Sequence, residues 1–188
     1  MSEENSSYRI VLIIVIAIVV VVGAIAAYVY FGREPNPYQG QILSVNVYPI
    51  HRDLTQQSTT EGMSGQKQTY DEVLVFADVS VKNTTNIPLY LRDMTAIVDL
   101  PNETSHSSAA SGEDFPKVFI AYPETRQYRR PLLARDTTIQ PGQQVQGQMI
   151  FNFQMSKEQW QSASDVAIYL SFAHQNPLVM RLKSAQGD

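Results

Sequence analysis

The chain has 188 residues, 14 Lys and Arg against 18 Asp and Glu, a formal net charge of -4 and no cysteine. Such mild acidity excludes the clearly basic domain that nucleic-acid binding needs. The missing cysteine excludes structural disulfides, thiolate metal centres and thiol catalysis together, and points away from a eukaryotic ectodomain toward a bacterial envelope protein.

Ile10 to Phe31 is an uninterrupted apolar run, IVLIIVIAIVVVVGAIAAYVYF, with Arg9 before it and Gly32-Arg33-Glu34 after it. At about 1.5 Å rise per residue it reaches roughly 33 Å as a helix, enough to cross a ~30 Å hydrocarbon core. Tyr28 and Tyr30 lie at one end, where amphipathic rings favour the membrane–water interface. A single transmembrane helix contacting lipid through residues 10–31 is therefore expected, behind a polar tail at 1–9. Ala24-Ile25-Ala26 also offers a signal-peptidase site, which leaves cleavage open. Against it, the run continues to Phe31, and Glu3 and Glu4 outweigh Arg9 in the leading segment. Arg9 and Arg33 nearly balance as orientation signals. The short tail and large C-terminal segment fit a signal-anchor, so the expected location is the bacterial inner (cytoplasmic) membrane, single-pass, with the C-terminal domain extracytoplasmic.

Residues 32–39 form a juxtamembrane linker in which Pro35 and Pro37 oppose helix continuation. A domain is expected over 40–183, with a tail at 184–188. Its dominant period is two, the period of strands. Leu43, Val45 and Val47 alternate with Ser44, Asn46 and Tyr48; Val73, Val75, Ala77, Val79 and Val81 share one face. Asn83 to Pro88 reads as a turn, followed by a strand over Leu89 to Leu100 and a polar, Ser-rich loop from Pro101 to Pro116. Val118 to Tyr122 is a short strand candidate. Pro141-Gly142 predicts a type II turn leading into Val145, Gly147, Met149, Phe151 and Phe153. Gly147 there suggests a bulge or a close backbone approach, and Met149 a core residue. Ser156 and Gln159 have the spacing of a helix capping box. Strands at Val166 to Phe172 and Leu178 to Leu182 complete about seven. The pattern predicts an all-β domain, an antiparallel β-sandwich behind the helix.

The blocks VLVFADVSVKNTTNIPLYL, IQPGQQVQGQMIFNF and DVAIYLSF resemble a recurring layout of small bacterial envelope proteins and lipoproteins, many of unknown function, with immunoglobulin-like ectodomains. The likeness covers roughly residues 70 to 173. It implies an immunoglobulin-like topology and brings no catalytic residues. The lipoprotein cysteine common in that group is absent here, so anchoring would depend on the helix alone.

Catalysis needs convergent groups, and the sequence offers few. His51, His106 and His174 lie far apart, with no paired spacing for metal binding. Gly62-Met63-Ser64-Gly65 falls short of a nucleophile elbow. The methionines are too dispersed for a soft copper site, and Asp71-Glu72 and Glu113-Asp114 lack calcium-loop spacing. No catalytic residue, metal or cofactor is expected. Asn5, Asn83 and Asn102 head Asn-x-Ser/Thr sequons and read as turn residues in a bacterium. The sharpest local feature is Arg126, Tyr128, Arg129, Arg130 and Arg135, four basic residues within ten positions. Guanidinium groups bind carboxylates and phosphates bidentately, and Tyr128 adds an amphipathic surface; the alternative is a solvated connection balanced by Glu124 and Asp136. The expectation is a non-enzymatic, membrane-anchored sandwich that meets an envelope protein through this patch. The alternative is a membrane-tethered ligand-binding or sensory domain for an anionic wall fragment, lipid or small molecule, with a pocket beside the 101–116 loop.

Overall fold

The computed structural model describes residues 15–28, 38–55 and 67–182, and the chain divides into two units, Met1–Asn36 and Pro37–Asp188. In the first unit residues 15–28 form helix α1, every residue of it exposed. No described helix is long and apolar enough to cross a membrane; residues 15–28 alone cover roughly 21 Å. The remainder of the expected 10–31 span lies outside the described residues, as do the tails at 1–9 and 184–188 and linker residues 32–37.

The second unit is built from antiparallel strands. β1 (Tyr38–Thr55), β2 (Lys67–Asn83) and β6 (Gln144–Phe153) form one sheet in the order β1-β2-β6. β3 (Leu89–Asp99), β4 (Thr104–Ser108), β7 (Asp165–Phe172) and β8 (Leu178–Leu182) form the other in the order β4-β3-β7-β8, with the two-residue β5 (Thr138–Ile139) also paired to β3. The first strand thus begins within the segment read as linker. Alternation puts Val73, Val75, Ala77, Val79 and Val81 of β2 and Met149, Phe151 and Phe153 of β6 on one inner face. They meet Leu91, Met94, Ala96, Val98, Ile168, Leu170 and Phe172 from the other sheet, all buried. Each of the larger side chains contributes about 1.5–3 kcal/mol by leaving water, so this seam is the main source of stability.

Local signals explain the joints. Gly142 takes φ 73 and Gln143 N donates to Gln140 O at 2.9 Å, the predicted turn. Helix α3 (Lys157–Gln161) carries the predicted capping box, with Ser156 and Gln159 bonding reciprocally. Asn83 is fully buried. Its Nδ2 donates to Ile87 O (2.7 Å) and Ile139 O (2.9 Å), while its Oδ1 accepts from Thr85 N and Thr85 Oγ1. This sequon asparagine therefore fastens a turn and has no amide hydrogen to spare for a glycan.

Three expectations are corrected. Val118 to Tyr122 is not a strand: Val118 to Ala121 belong to helix α2 (Phe115–Ala121) and Tyr122 caps it, because Phe115 and Phe119, four residues apart, bury on the same helical face. The 101–116 stretch is not all loop: β4 pairs Ile97 with His106 despite having no large apolar side chain, its stability coming from the ladder to β3. Leu43 does not share the core face with Val45 and Val47. A register shift between Ile42 and Ser44 makes it the extra residue of a bulge, and it points into solvent.

The outer face of the three-stranded sheet carries a second core. Ile50, Leu74, Phe76 and Ile150 project outward and are covered by Phe115 and Phe119 of α2, with Tyr48, Tyr122, Tyr128 and Leu132 packed around them. The connection from β4 to α2 also stitches the two sheets together: Ala109 N donates to Met94 O and Ala110 N to Ile150 O.

Candidate functional site: an arginine strap beside a groove

After α2 the chain makes a 3-10 segment (Pro123–Tyr128) and then runs extended past the outer edge of β6. Leu132 forms a parallel bridge with Gln148; Leu133 N donates to Gln148 O (3.0 Å) and Gln148 N to Pro131 O (2.7 Å). Gly147 makes this approach possible, since a Cβ there would lie 2.6 Å from Leu133 N and 2.7 Å from Leu133 Cα. The close approach expected at Gly147 is thus to backbone.

The Gln148 side chain is the second fastening. It is completely buried between strap and sheet. Its Nε2 donates to Asp78 Oδ1 (2.9 Å) and Tyr128 O (2.7 Å), and its Oε1 accepts from Arg130 N (3.1 Å). One amide therefore ties the strap to β2 across the sheet.

The five expected patch residues divide among several tasks. Arg126 Nε donates to Phe119 O (3.1 Å), and the Arg129 guanidinium sits 5.3 Å from the Phe119 ring centroid, a cation–π arrangement. Tyr128 turns inward, its ring 5.7 Å from that of Phe76. Arg135 reaches Ala109 O (3.2 Å) and the Asp93 carboxylate (3.4 Å). Arg130 bonds only to Arg129 O (3.0 Å) through its guanidinium and has no carboxylate partner among the described residues. All four arginines are exposed residues.

Arg130 also lines a groove of ≈ 310 Å³ with Leu43, Asp78, Val79, Pro131, Gln146 and Gly147. The groove crosses the sheet's outer face from the β1 bulge to the strap. It does not adjoin the 101–116 loop, where the ligand-binding alternative put its pocket. Asp78 on its floor accepts from Ser44 Oγ (2.6 Å) and Gln148 Nε2 (2.9 Å), two neutral donors.

A polar clasp holds the other end of the strap to β1. The Tyr48 hydroxyl donates to Glu124, and Arg52 donates to the Tyr122 hydroxyl while lying 5.5 Å from that ring's centroid. The hydrogen bond with Glu124 raises the Tyr48 pKa above its ordinary value, helped by burial, and lowers that of Glu124. His51 pairs with Asp71 at 2.6 Å. Among the described residues no three His, Asp or Glu side chains come together as a metal site; His106 sits on β4 and His174 in the β7–β8 turn.

No protein-family model matches the chain, and no curated protein matches it. Among solved structures, a functionally unknown protein from Listeria monocytogenes EGD-e aligns over 80% of this chain and 79% of its own, at 11% identity and a TM-score of 0.44. An uncharacterized beta-sandwich protein from Clostridium difficile 630 aligns over 80% and 88%, at 14% identity and a TM-score of 0.36. Likenesses at this level carry no weight for function. The fold rests on the strand pairing.

Sequence reasoning found the arginines but missed Gln148 and Asp78. Both sit on alternating polar positions, Asp78 with Ser80 and Lys82 and Gln148 with Gln144 and Gln146, so nothing local marked them out; their meeting depends on the β2–β6 register, which pairs Asp78 with Gln148.

Proposed function

We propose that this chain is a non-enzymatic, single-pass membrane protein that presents its β-sandwich as an interaction domain in the bacterial cell envelope, outside the cytoplasmic membrane. The apolar run from Ile10 to Phe31 supports the anchor. The strand order β1-β2-β6 against β4-β3-β7-β8 supports an immunoglobulin-like topology, in which strands one, two and five of the seven-strand scheme share one sheet. The observation that carries the interaction reading is the strap. Exposed arginines stand on a backbone held by Gln148 and packed closely on Gly147, so little backbone freedom is left to lose on meeting an acidic partner. Tethering to the bilayer raises the domain's effective concentration for neighbours in the same thin layer.

The test is a photo-crosslinking residue at exposed Gln127 in native membranes. One envelope protein captured there, and lost when Arg129 and Arg130 are both changed to Glu, is the expected result. Capture unaffected by that reversal refutes the patch. Orientation is checked with Glu113→Cys, in a chain that otherwise has no cysteine: a membrane-impermeant maleimide should label it in intact spheroplasts, and labelling only after lysis refutes the extracytoplasmic placement.

The groove favours a second reading, the membrane-tethered ligand-binding or sensory domain, because it has mostly apolar walls and an arginine without a carboxylate partner. Recessed apolar surfaces with a few fixed polar groups are the usual form of small-molecule sites.

A further inference from the structure

We propose that the groove between Leu43 and the Arg130–Pro131 strap binds a small zwitterion on an aliphatic body, an amino acid or short peptide whose carboxylate meets Arg130 and whose ammonium meets Asp78. This rests on the ligand-binding reading and names the ligand's chemistry.

The charges come first. Arg130 and Asp78 line the same groove, yet no ion pair joins them, and neither has an oppositely charged partner among the described residues. A purely anionic ligand that satisfied Arg130 would be repelled by Asp78; a purely cationic one would meet the reverse problem. A molecule carrying both charges answers each. Asp78 is equipped for this, because each carboxylate oxygen accepts one bond and retains capacity for another. Arg130 offers the planar donor fork that suits a carboxylate.

The fold fixes where the Arg130 side chain starts relative to Asp78. Gln148 accepts from the Arg130 backbone and donates to the Asp78 carboxylate through one buried amide. Those two bonds keep Asp78 Oδ1 within roughly 8 Å of the Arg130 backbone nitrogen. The carboxylate and the root of the Arg130 side chain are therefore set before any ligand arrives, and the guanidinium is the group left to orient.

The walls specify the body. Leu43 is 47% exposed because the β1 bulge turns it away from the core, and it lines the open groove together with Pro131. An aliphatic side chain or peptide backbone suits that slot, and ≈ 310 Å³ is at the small end of ligand sites.

The experiment is isothermal titration of the full chain in nanodiscs with leucine, alanyl-leucine and D-alanyl-D-alanine, alongside the N-acetylated and C-amidated form of each. At least one zwitterion should bind. Acetylation or amidation should each weaken it by roughly tenfold or more, as expected for removing a charged hydrogen bond. Arg130→Gln should weaken the parent compound but not its amidated form, and Asp78→Asn the parent but not its acetylated form. Unchanged thermal unfolding of both variants shows that the fold is retained; Leu43→Glu, at an exposed site, is the further variant if either unfolds early. Acetylated probes that bind as tightly as the parents overturn the zwitterion while leaving an anion-binding groove. No binding by any probe at millimolar concentration overturns both. Binding that none of the three variants alters overturns the placement in this groove.

Discussion

Replacing Gly147 with Ala is the most direct test of how the strap is held. Gly147 has no left-handed backbone angle, so alanine should by itself favour the folded chain, by roughly 0.5–1 kcal/mol through the unfolded state. The added Cβ, however, would lie 2.6 Å from Leu133 N and 2.7 Å from Leu133 Cα and Cβ. These are two backbone atoms and the Cβ fixed to them, which no rotamer change moves, and overpacking of this kind costs about 1–3 kcal/mol. Moving the strap away also breaks the bonds Leu133 N to Gln148 O and Gln148 N to Pro131 O, at about 1 kcal/mol each. The net expectation is destabilisation of about 2–4 kcal/mol, or roughly 5–12 °C in Tm for a domain of this size. Denaturant unfolding followed by circular dichroism measures it, and hydrogen exchange at the Leu133 amide localises it. Gly112→Ala is the control, since its nearest neighbour, Leu132 Cδ2, is at an ordinary 3.8 Å. If Gly147→Ala is neutral or stabilising like the control, the close-approach argument is wrong.

Asn83→Asp should destabilise by about 3 kcal/mol or more, because the carboxylate cannot donate to Ile87 O and Ile139 O inside a fully buried site; an unaltered denaturation midpoint would contradict that account. Phe119→Ala should remove about 3–5 kcal/mol from the second core. Trypsin should then cut sooner after Arg126 and Arg129, while Trp160, which packs on Phe153 in the main core, keeps its emission; simultaneous loss of both signals would show one cooperative core. The Tyr48–Glu124 clasp defines a pH window. Glu124's folded pKa is depressed, so its contribution is present above the ordinary 4.5 and lost as pH falls through the folded value. Tyr48's is raised, so its contribution is present below the ordinary 10.0 and lost as pH rises through the folded value. Hydrogen exchange in Pro123–Tyr128 should quicken at both extremes, and Tyr48→Phe should flatten that profile; a variant that keeps the wild-type profile rules the clasp out as its cause.

What the sequence made legible was local. Val73 to Val81 announces its inner face by alternation, Pro141-Gly142 its turn, and Ser156 with Gln159 its helix cap, because each signal lies within a few residues. The second core was hidden in plain runs: Val73-Leu74-Val75-Phe76-Ala77 is apolar on both faces, and alternation read from one face conceals the other. Helix α2 is too short for its one Phe115–Phe119 repeat to outweigh a β-branched neighbour at Val118. β4 lacks apolar residues altogether, so only its pairing with β3 reveals it. For the candidate site, the arginines were visible as a cluster. That Tyr128 faces inward, that Arg135 turns to Asp93 and that Arg130 shares a groove with Asp78 depend on contacts between residues far apart in the chain.

The two borders of the three-stranded sheet are chemically unlike. Along β6, Gln148 bonds to the strap, Ile150 O accepts from Ala110 N, and Asn152 N donates to Ser107 Oγ. Along β1 no described strand continues the ladder. In the language of polymers the β6 border is end-blocked: a further strand could add there only by displacing the strap and the bonds from Ala110 and Ser107.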